Sequence, residues 1–425
     1  MPSNWLHSRV IVVAGTGPAG LAAAYAASRY RDTVILLEAT NRPGAKLLVS
    51  GSGKCNVTNI LAGEEFVEKF GRNGRFGLPA LNLFPPVTFR NFLQENGTPT
   101  EVTDGFHVFP VSRRAADVLQ AFQRALNDNG VTLLTGARLS KALIENGGIR
   151  GAELIDGRRF HCDALILATG GKSYPQLGTR GDGYQIAAAA GHTIVEPVPA
   201  LVGLRVCESW AGECRGVLLE DAGVTFAEKK LRFLKGRGNL VFTHEGMNGP
   251  ATLPLSGAVA RYLLSVPAGV EMKLKFHAGM SMGKYRSDFD NYVQHQGRKG
   301  VMSFLKQYLP QVLAEVIAMK SDVDAGTRCA RLDAPRRERM LQLLDAVPLT
   351  VIGTDSWPKA MVTSGGISLK EVNPFTMESR IVKNLFFAGE VLDLDGPCGG
   401  YNIQWAASSG YLAGSSACKK SGKEK

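Results

Sequence analysis

The 425-residue sequence predicts an α/β fold with a parallel sheet that is split by a middle insertion. Three observations lead to this prediction. A continuous apolar strand near the start of the chain runs into a glycine-rich turn and an alanine-rich helix. From about residue 200 the pattern changes to short stretches of alternating apolar and polar residues, followed by helical periodicity. Near Pro348 the buried-strand pattern returns, so the parallel sheet is expected to draw on both parts of the chain.

The first βαβ unit is predicted from residues 10–38. Residues 10–14 are all apolar, as expected for a strand that is buried on both faces of a parallel sheet. Residues 21–30 are rich in alanine and predict a helix that packs closely on that sheet, and residues 33–38 predict the second strand. A βαβ unit of about 30 residues is the building block of Rossmann-type domains.

The turn of this unit carries the most specific motif, G-T-G-P-A-G at residues 15–20. In such a motif Gly15 permits a tight turn, Gly17 lets the backbone approach a pyrophosphate, and Gly20 allows close packing of helix on strand. Glu38 lies 18 residues after Gly20, at the end of the second strand, where a carboxylate can accept hydrogen bonds from ribose hydroxyls. The combination predicts a dinucleotide-binding site.

The remaining elements before the insertion follow from periodicity. Residues 113–129 predict an amphipathic helix, because their apolar residues recur at helical spacing. Further strands are predicted at 131–134, 139–149 and 164–168, and a short alanine-rich helix at 184–190.

Composition and periodicity then divide the chain into four segments. Residues 200–276 have the alternation of antiparallel strands, residues 279–346 have helical periodicity, and a last helix is predicted at about 400–417. The predicted segments are a first part of the nucleotide-binding domain at 1–195, a β-rich insertion at 196–278, a helical subdomain at 279–347 and the second part of the nucleotide-binding domain at 348–425.

The composition restricts the compartment and the partners. The sequence has no apolar run long enough to cross a membrane and no secretory signal pattern, and its seven scattered cysteines contain no C-x-x-C pair. These features predict a soluble, cytoplasmic protein with reduced cysteines, with neither a membrane interaction nor a metal site.

The net charge of +11 is compatible with a polyanionic partner, and also with a basic surface that is merely solvated. Basic residues cluster in three runs, and clustered cations neutralise phosphates where a nucleic acid binds. The runs are Lys229, Lys230, Arg232, Lys235 and Arg237; Arg336, Arg337 and Arg339; and residues 419–425.

Two further glycine motifs follow apolar strands. The sequence A-T-G-G at residues 168–171 resembles the second FAD fingerprint of flavoproteins with two dinucleotide folds; the alternative is an ordinary strand-to-loop turn. The sequence F-F-A-G-E at residues 386–390, followed by the glycine pair 399–400, resembles the C-terminal flavin motif. In that motif an acid meets the ribityl chain, and a helix N-terminus faces the flavin and stabilises its anionic reduced form.

Longer stretches resemble one family closely. They are PGAKLLVSGSGKCNVTN at residues 43–59, ATGGKSYPQLGTRGDG at 168–183, FTHEGMNGP at 242–250 and the stretch at 363–410. These stretches resemble the bacterial YhiN/BaiN-like flavoproteins, and the match extends over nearly the whole chain. The resemblance implies FAD held non-covalently by a Rossmann-type domain, which a β-barrel-like insertion and a small helical subdomain interrupt.

Two positions depart from the family pattern. Lys54 stands where the family more often has Arg, so the positive charge is kept but the planar guanidinium is lost. His107, in the sequence H-V-F-P, replaces what is usually Arg. Either change is compatible with a subfamily that acts on a different substrate.

The motifs and the resemblance together predict a set of FAD-binding residues. They are Gly15, Gly17, Pro18, Ala19, Gly20, Glu38, Ala39, Lys46, Ser52, Gly53, Lys54, Cys55, Ala168, Thr169, Gly170, Gly389, Glu390, Gly399, Gly400, Tyr401 and Asn402.

Three residues are candidates for acid–base work, because reduction of a C=C bond needs a proton donor for the second carbon. Cys398 is the first candidate, since it precedes the glycine pair, and Cys55 is the second. The alternative for each cysteine is a small buried side chain. His244, in a family stretch of the insertion, is the third, and its alternative is an ordinary hydrogen-bonded polar residue.

The resemblance implies an FAD-dependent NAD(P)H oxidoreductase that reduces a C=C bond. Because no second G-x-G-x-x-G follows, NAD(P)H is expected to visit the flavin transiently. Members of the family are linked to dihydrouridine formation in large-subunit ribosomal RNA, and others to reduction of steroid-like enones. The basic runs favour ribosomal RNA. The alternatives are a reductase of a small-molecule enone and a non-catalytic flavin-binding protein that associates with RNA or ribosomes.

Overall fold

The structure is a computed structural model that describes residues 9–30 and 32–418. The basic run at residues 419–425 lies outside this range. The chain forms two compact units. The first unit comprises the residues up to Val198 and those from Val362 onward, and the second unit comprises Pro199–Met361. Within the described ranges no helix is both long and apolar enough to cross a membrane.

The described residues up to Ala200 contain eleven strands and seven α-helices. The strands are β1 (Val10–Ala14), β2 (Thr33–Leu37), β3 (Thr58–Asn59), β4 (Thr100–Thr103), β5 (His107–Pro110), β6 (Thr132–Leu134), β7 (Leu139–Glu145), β8 (Gly148–Leu154), β9 (Arg159–His161), β10 (Ala164–Leu167) and β11 (Ile194–Ala200). The helices are α1 (Pro18–Ser28), α2 (Ala45–Val49), α3 (Gly63–Glu68), α4 (Leu78–Leu83), α5 (Pro86–Glu95), α6 (Ala115–Asp128) and α7 (Asp182–Ala189).

The second unit and the return of the chain to the first unit supply the remaining elements. In the second unit these are β12 (Leu204–Val206), α8 (Trp210–Glu213), β13 (Leu218–Phe226), β14 (Lys235–Phe242), β15 (Gly246–Asn248), α9 (Ser256–Leu263), β16 (Val270–Lys275), α10 (Met282–Gln296), α11 (Val301–Leu305), α12 (Gln311–Lys320), α13 (Ala334–Asp345) and β17 (Val347–Thr354). Back in the first unit they are β18 (Val362–Ile367), β19 (Leu385–Phe387) and α14 (Tyr401–Ala417).

A five-stranded parallel sheet in the order β19-β10-β1-β2-β6 forms the centre of the first unit. In β1, Val12 lies opposite Leu165 of β10 on one side and Ile35 of β2 on the other. All four residues of β10 are buried. Strands covered on both faces explain the unbroken apolar runs in the sequence. The predicted α/β fold of Rossmann type, completed by a strand from the end of the chain, is confirmed.

Helix α14 packs against α1 through two glycines. A Cβ at Gly410 would lie 2.0 Å from the carbonyl oxygen of Ala19, and a Cβ at Gly414 would lie 2.1 Å from that of Ala23. Such close approach requires glycine on α14 and small residues on α1. Because α1 is covered on nearly all sides, its sequence is rich in alanine and lacks a polar face.

The second unit contains a closed antiparallel barrel in the order β12-β15-β14-β13-β16-β17. The predicted antiparallel strands and the β-barrel-like insertion are therefore confirmed. Part of β13 shows the alternation of a strand that is buried on one face: Val224 and Phe226 are buried, whereas Thr225 between them is half-buried.

Strand β17 closes the barrel by pairing with β12 and β16. The segment boundary predicted at residue 348 falls inside this strand, and the chain returns to the first unit only at Val362. The reason lies in the burial pattern of β17, which alternates between buried and more accessible residues over its first five positions. A barrel strand is buried on one face only, in contrast to the central strands of the parallel sheet.

Candidate functional site

The glycine-rich turn between β1 and α1 forms the base of the candidate site. Gly15 has a φ of +108°, and a Cβ there would lie 2.4 Å from the carbonyl oxygen of Ala168. A Cβ at Gly20 would lie 1.7 Å from the carbonyl oxygen of Gly15. At Gly17, in contrast, no atom of the described residues lies within 4 Å of the built Cβ position. Gly15 and Gly20 are therefore required by packing, whereas Gly17 leaves a space open beside the backbone.

The N-terminus of α1 borders this space. The helix begins at Pro18, and no described side chain caps it. Leu21 donates the first hydrogen bond inside the helix to the carbonyl of Gly17 (3.0 Å), so the amides of Ala19 and Gly20 precede the intrahelical ladder. Unpaired N–H groups and the positive end of the helix dipole favour a phosphate at such a terminus. The turn thus fits the pyrophosphate of a dinucleotide.

Glu38 lies directly after β2, beside the turn. Its carboxylate accepts hydrogen bonds from the hydroxyl of Thr16 and from the amide and hydroxyl of Thr40 (2.8 Å each). Thr16 also accepts a hydrogen bond from the amide of Gly44 (3.0 Å), which ties the turn to the start of α2. Ala39, the next predicted residue, is half-buried. The carboxylate is fixed at the sheet edge where this fold places a ribose.

The glycine-rich loop after α2 has left-handed backbone at four of five successive residues. The φ angles are +55° at Gly51, +56° at Ser52, +83° at Gly53 and +57° at Cys55. A left-handed conformation costs roughly 1–2 kcal/mol at residues other than glycine. Ser52 and Lys54 are exposed and accessible to a ligand. Strain of this kind occurs preferentially in loops that bind ligands.

The two candidate cysteines differ in accessibility. Cys55 is fully buried, and burial raises the pKa of its thiol to about 12. This environment favours a packing role for Cys55. Cys398 is exposed, although the surrounding protein also raises the pKa of its thiol. Of these two, Cys398 is the thiol that a substrate can reach.

Thiol labelling is expected to separate these cysteines. N-ethylmaleimide at pH 8 should modify the exposed Cys398 and Cys207 of the native protein, and should leave Cys55 unmodified until the protein unfolds. If Cys398 lies beside the flavin, loading with FAD should slow its modification several-fold and leave Cys207 unchanged. Peptide mass spectrometry measures both rates, and equal protection of the two thiols would contradict a local effect of the cofactor.

Lys46 and Glu390, both predicted to contact FAD, form an ion pair with each other. The hydroxyl of Ser173 donates to Glu390 (2.8 Å) and accepts from Nζ of Lys46 (2.6 Å), and the amide of Thr363 donates to Glu390 (2.8 Å). The Lys46 and Glu390 side chains are 23% and 18% exposed. We call Lys46, Ser173, Thr363 and Glu390 the Glu390 cluster. It joins α2, the segment after the A-T-G-G turn, β18 and the third glycine motif.

Tyr184 of α7 lies against the Glu390 cluster. Its hydroxyl donates to the carbonyl of Glu390 (3.4 Å), and burial together with the nearby carboxylates raises the pKa of its phenol well above the usual value. The phenol therefore stays neutral. Ser173, Thr363 and Tyr184 are site residues that sequence reasoning missed. Their one sequence signal is that Ser173 and Thr363 lie in the stretches that resemble the family.

The A-T-G-G turn lies beside the first glycine motif, because β10 neighbours β1. Gly170 has a φ of +72°, and Ala168 contacts the turn at Gly15. The hydroxyl of Thr169 lies against Gly183 and is buried without a hydrogen-bond partner among the described residues. Buried polar groups normally have partners. A ligand with polar groups would supply one here.

The third glycine motif leads into α14. Gly389 has a φ of +74°, and Gly399 and Gly400 have φ angles of +116° and +82°. The helix begins at the buried Tyr401, and no described side chain caps it, so its first amides face the turn. The side chain of Asn402 is occupied by the amide and carbonyl of residue 396 (2.8 Å each), so it holds the preceding loop.

The third catalytic candidate, His244, belongs to the second unit. It lies exposed in the turn between β14 and β15, whereas the two candidate cysteines belong to the first unit. In the described ranges no group of three His, Cys, Asp or Glu side chains is arranged to hold a metal ion.

Four features together define a dinucleotide-binding protein of the Rossmann class. They are the parallel sheet, the open glycine turn, the uncapped N-terminus of α1 and the carboxylate of Glu38. The model of the HI0933-like protein Rossmann domain family matches residues 9–416. The chain belongs to this family, and it is a flavoprotein oxidoreductase. The resemblance to YhiN/BaiN-like proteins that the sequence stretches indicated is thereby confirmed.

Two relatives cover nearly the whole chain. A 3-dehydro-bile acid delta(4,6)-reductase from Clostridium scindens is 32% identical over 414 residues, which are 96% of this chain and 99% of the relative. A ribosomal RNA dihydrouridine synthase from Escherichia coli is 28% identical over 407 residues, 94% of this chain and 96% of the relative. Among solved structures, a 3-ketosteroid delta1-dehydrogenase from Sterolibacterium denitrificans shares the fold, with a TM-score of 0.53 and 12% identity over 97% of this chain and 100% of that chain.

Proposed function

We propose that this chain binds FAD non-covalently and uses NAD(P)H to reduce a C=C bond, with a uridine of large-subunit ribosomal RNA as the substrate. The observation that carries the cofactor assignment is the open space at Gly17 beside the uncapped N-terminus of α1. When bound, FAD accepts two electrons from the nicotinamide and passes them to the substrate.

The chain supplies the binding groups for this cofactor. The amides of Ala19 and Gly20 would hold the pyrophosphate, and the carboxylate of Glu38 would hold the adenosine ribose. The first amides of α14 would stabilise negative charge on the flavin edge that they face. The Glu390 cluster joins the third glycine motif to three other segments, because its hydrogen bonds link Glu390 to Lys46, Ser173 and Thr363.

The assignment of an RNA substrate is supported by the hairpin of β13 and β14 in the second unit. Lys229, Lys230, Arg232 and Lys235 are exposed on it, and none of them forms an ion pair with a described residue. We call these four residues and Phe233 the basic hairpin. Lys273 adds a positive charge next to the basic hairpin on the barrel surface. Thr225 lies opposite both Lys235 and Lys273, so these two lysines are on the strands that flank it.

Phe233 lies among these cations with 70% of its surface exposed. Exposed aromatic rings among cations are typical of surfaces that bind single-stranded nucleic acid, where bases stack on the ring and phosphates contact the cations. The basic hairpin has this composition.

The second basic run has a different character. Arg336 forms an ion pair with Asp333 (3.3 Å) and Arg339 with Asp322 (2.8 Å). Carboxylates thus neutralise two of its three arginines, so this run is a poor candidate for phosphate binding. Arg237 is likewise paired with Asp221 (2.7 Å), whose pKa it lowers by hydrogen bonding.

Loss of charge from the basic hairpin should weaken RNA binding. The triple change Lys229→Ala, Lys230→Ala and Arg232→Ala is expected to lower affinity for unmodified ribosomal RNA about tenfold or more at 0.1 M salt. It should also reduce the slope of log affinity against log salt by about 2, since each cation contributes about 0.7 on single strands. Fluorescence anisotropy measures both quantities. The double change Arg336→Ala and Arg339→Ala is the matched control, and an unchanged slope in the triple variant would contradict RNA binding by the hairpin.

The decisive experiment for the proposed function is an anaerobic half-reaction. The FAD-loaded protein is reduced with NADPH or NADH and mixed with unmodified ribosomal RNA. Reoxidation of the flavin with dihydrouridine detected by mass spectrometry would support the proposal, and it would be consistent with the cytoplasmic location predicted from the sequence. Reduction without reoxidation by any form of ribosomal RNA would exclude this substrate.

The second candidate substrate is a small enone. It is favoured by the 32% identity to a protein named as a bile acid reductase, which exceeds the identity to the protein named as a dihydrouridine synthase. In the same experiment, reoxidation by a 3-oxo-Δ4 steroid but not by RNA would establish this alternative.

A further inference from the structure

His107 and Asp104 form a hydrogen-bonded pair in the first unit. Nδ1 of His107 lies 2.7 Å from Oδ2 of Asp104. Oδ1 of the same carboxylate accepts the amides of Phe106 (3.3 Å) and His107 (3.0 Å). These hydrogen bonds from His107 lower the pKa of Asp104, so the group is an ionised carboxylate held in a fixed position. The Asp104 carboxylate occupies Nδ1 of His107. Nε2 is therefore the ring nitrogen that can exchange a proton with a ligand.

Nε2 of His107 points at the turn that precedes α14. A Cβ at Gly399 would lie 3.4 Å from this nitrogen. Two contacts hold the turn and the strand together: Asn59 lies opposite His107 in the pairing of β3 with β5, and its side-chain amide donates to the carbonyl of Gly399 (2.8 Å). The His107 side chain is 35% exposed, so a substrate can reach it.

We propose that His107 is the proton donor in the reduction of the C=C bond, and that Asp104 is the positioning residue that orients its ring. This inference rests on the proposed function and deepens it. NAD(P)H supplies, through the cofactor, two electrons and the hydrogen of the first new C–H bond. The Nε2–H bond of the imidazolium breaks as the second carbon takes the proton, which leaves neutral imidazole and NAD(P)⁺. Solvent then returns one proton to Nε2 at its exposed side.

The charged surroundings of His107 are compatible with this role. The carboxylate of Asp104 stabilises a positive charge on the imidazole ring, whereas the partial positive charge of the first amides of α14 disfavours it. Two residues lie opposite His107 on the strands that flank β5: Thr103 on β4 and Asn59 on β3. Both are uncharged. Two titratable groups lie at the turn beside His107: the thiol of Cys398 and the phenol of Tyr401, whose ring would lie 3.3 Å from a Cβ at Gly399. Burial raises the pKa of both groups, so each is a weak acid near neutral pH. An imidazolium is the better proton donor in this pH range.

The test compares His107→Gln, Asp104→Asn and Cys398→Ala in the FAD-loaded protein, with unmodified ribosomal RNA and with 4-androstene-3,17-dione as oxidants. We expect His107→Gln to slow flavin reoxidation about 10²–10⁴-fold, the usual range for loss of a general acid. Flavin reduction by NAD(P)H and FAD content should be unchanged, since neither needs this proton.

A second readout needs neither the cofactor nor a substrate. In the ¹⁵N spectrum of histidine-labelled protein, neutral His107 should carry its proton on Nδ1, and Asp104→Asn should reduce this tautomer preference. A preference unchanged in Asp104→Asn would overturn the positioning role. Wild-type rates in His107→Gln, or a large loss in Cys398→Ala alone, would overturn the donor assignment. A reduced wild type that neither oxidant reoxidises would overturn the proposed function, and the donor assignment with it.

Discussion

Replacing Gly17 by Ala is expected to leave the first unit folded and to weaken FAD binding at least about tenfold, or about 1.4 kcal/mol. The new Cβ meets no atom of the described residues within 4 Å, so the stability of the cofactor-free protein should change little. The same Cβ would occupy the space beside the N-terminus of α1 that we assign to the pyrophosphate.

Gly20→Ala, in contrast, should destabilise the first unit itself. Its Cβ would lie 1.7 Å from the carbonyl oxygen of Gly15, and a backbone atom in a buried turn cannot move aside. Overpacking of this kind costs typically 1–3 kcal/mol and sometimes more, so we expect about 3 kcal/mol of lost stability even without FAD.

Thermal unfolding with and without FAD, together with a fluorescence titration of the cofactor, distinguishes the two glycines. Gly326→Ala is the control, because no described atom lies within 4 Å of its built Cβ and its backbone is not left-handed. Wild-type affinity for FAD in Gly17→Ala would mean that the pyrophosphate does not lie at this turn.

Removal of the Glu390 carboxylate should produce the second large effect. Glu390→Ala leaves the ammonium of Lys46, the hydroxyl of Ser173 and the amide of Thr363 without their shared acceptor. Breaking a buried ion pair by removing one partner costs about 3–5 kcal/mol. Because this pair is partly accessible, we expect about 2–4 kcal/mol, which corresponds to a Tm lower by roughly 5–15 °C in a unit of this size.

The matched control is Glu64→Ala. Glu64 pairs with Arg75 at 3.8 Å on the surface, where both side chains are exposed. Surface ion pairs contribute about 0–1 kcal/mol, so this variant should unfold close to the wild type. Glu390→Gln keeps the acceptor for Thr363 and removes the charge, so its stability should lie between that of Glu390→Ala and that of the wild type. Equal stability of Glu390→Ala and Glu64→Ala would show that the Glu390 cluster does not stabilise the first unit.

The parts of the fold that sequence alone predicted are those encoded by contiguous residues. The βαβ unit was predictable because Gly15, Gly20 and Glu38 have fixed positions relative to two apolar strands, and each has a local steric or polar reason to be there. The antiparallel character of the insertion was predictable for the same reason, since alternation is a property of one strand at a time.

The Glu390 cluster was not predictable in this way. Lys46 and Glu390 were both expected to face FAD, and nothing in their local sequence indicates that they pair across 344 positions. Such a pairing depends on how the fold brings four separate segments together. His107 and Asp104 are different, because a spacing of three residues in a tight turn is a local signal. The approach of Nε2 of His107 to Gly399 was not predictable, because it joins β5 to a turn almost 300 residues further along the chain.

The packing of α14 on α1 has a consequence for synthesis of the protein on the ribosome. Strand β19 and α14 follow the second unit in the chain, yet they complete the sheet and cover α1, which precedes that unit. At about 5–20 residues per second, α1 is exposed for roughly 20–75 s before its partner emerges. Pro199–Met361 has its own compact core, so it can fold while the first unit waits. If the flavin contacts the turn before α14 as proposed, its site is complete only after the chain has returned from the second unit, so cofactor binding depends on that return.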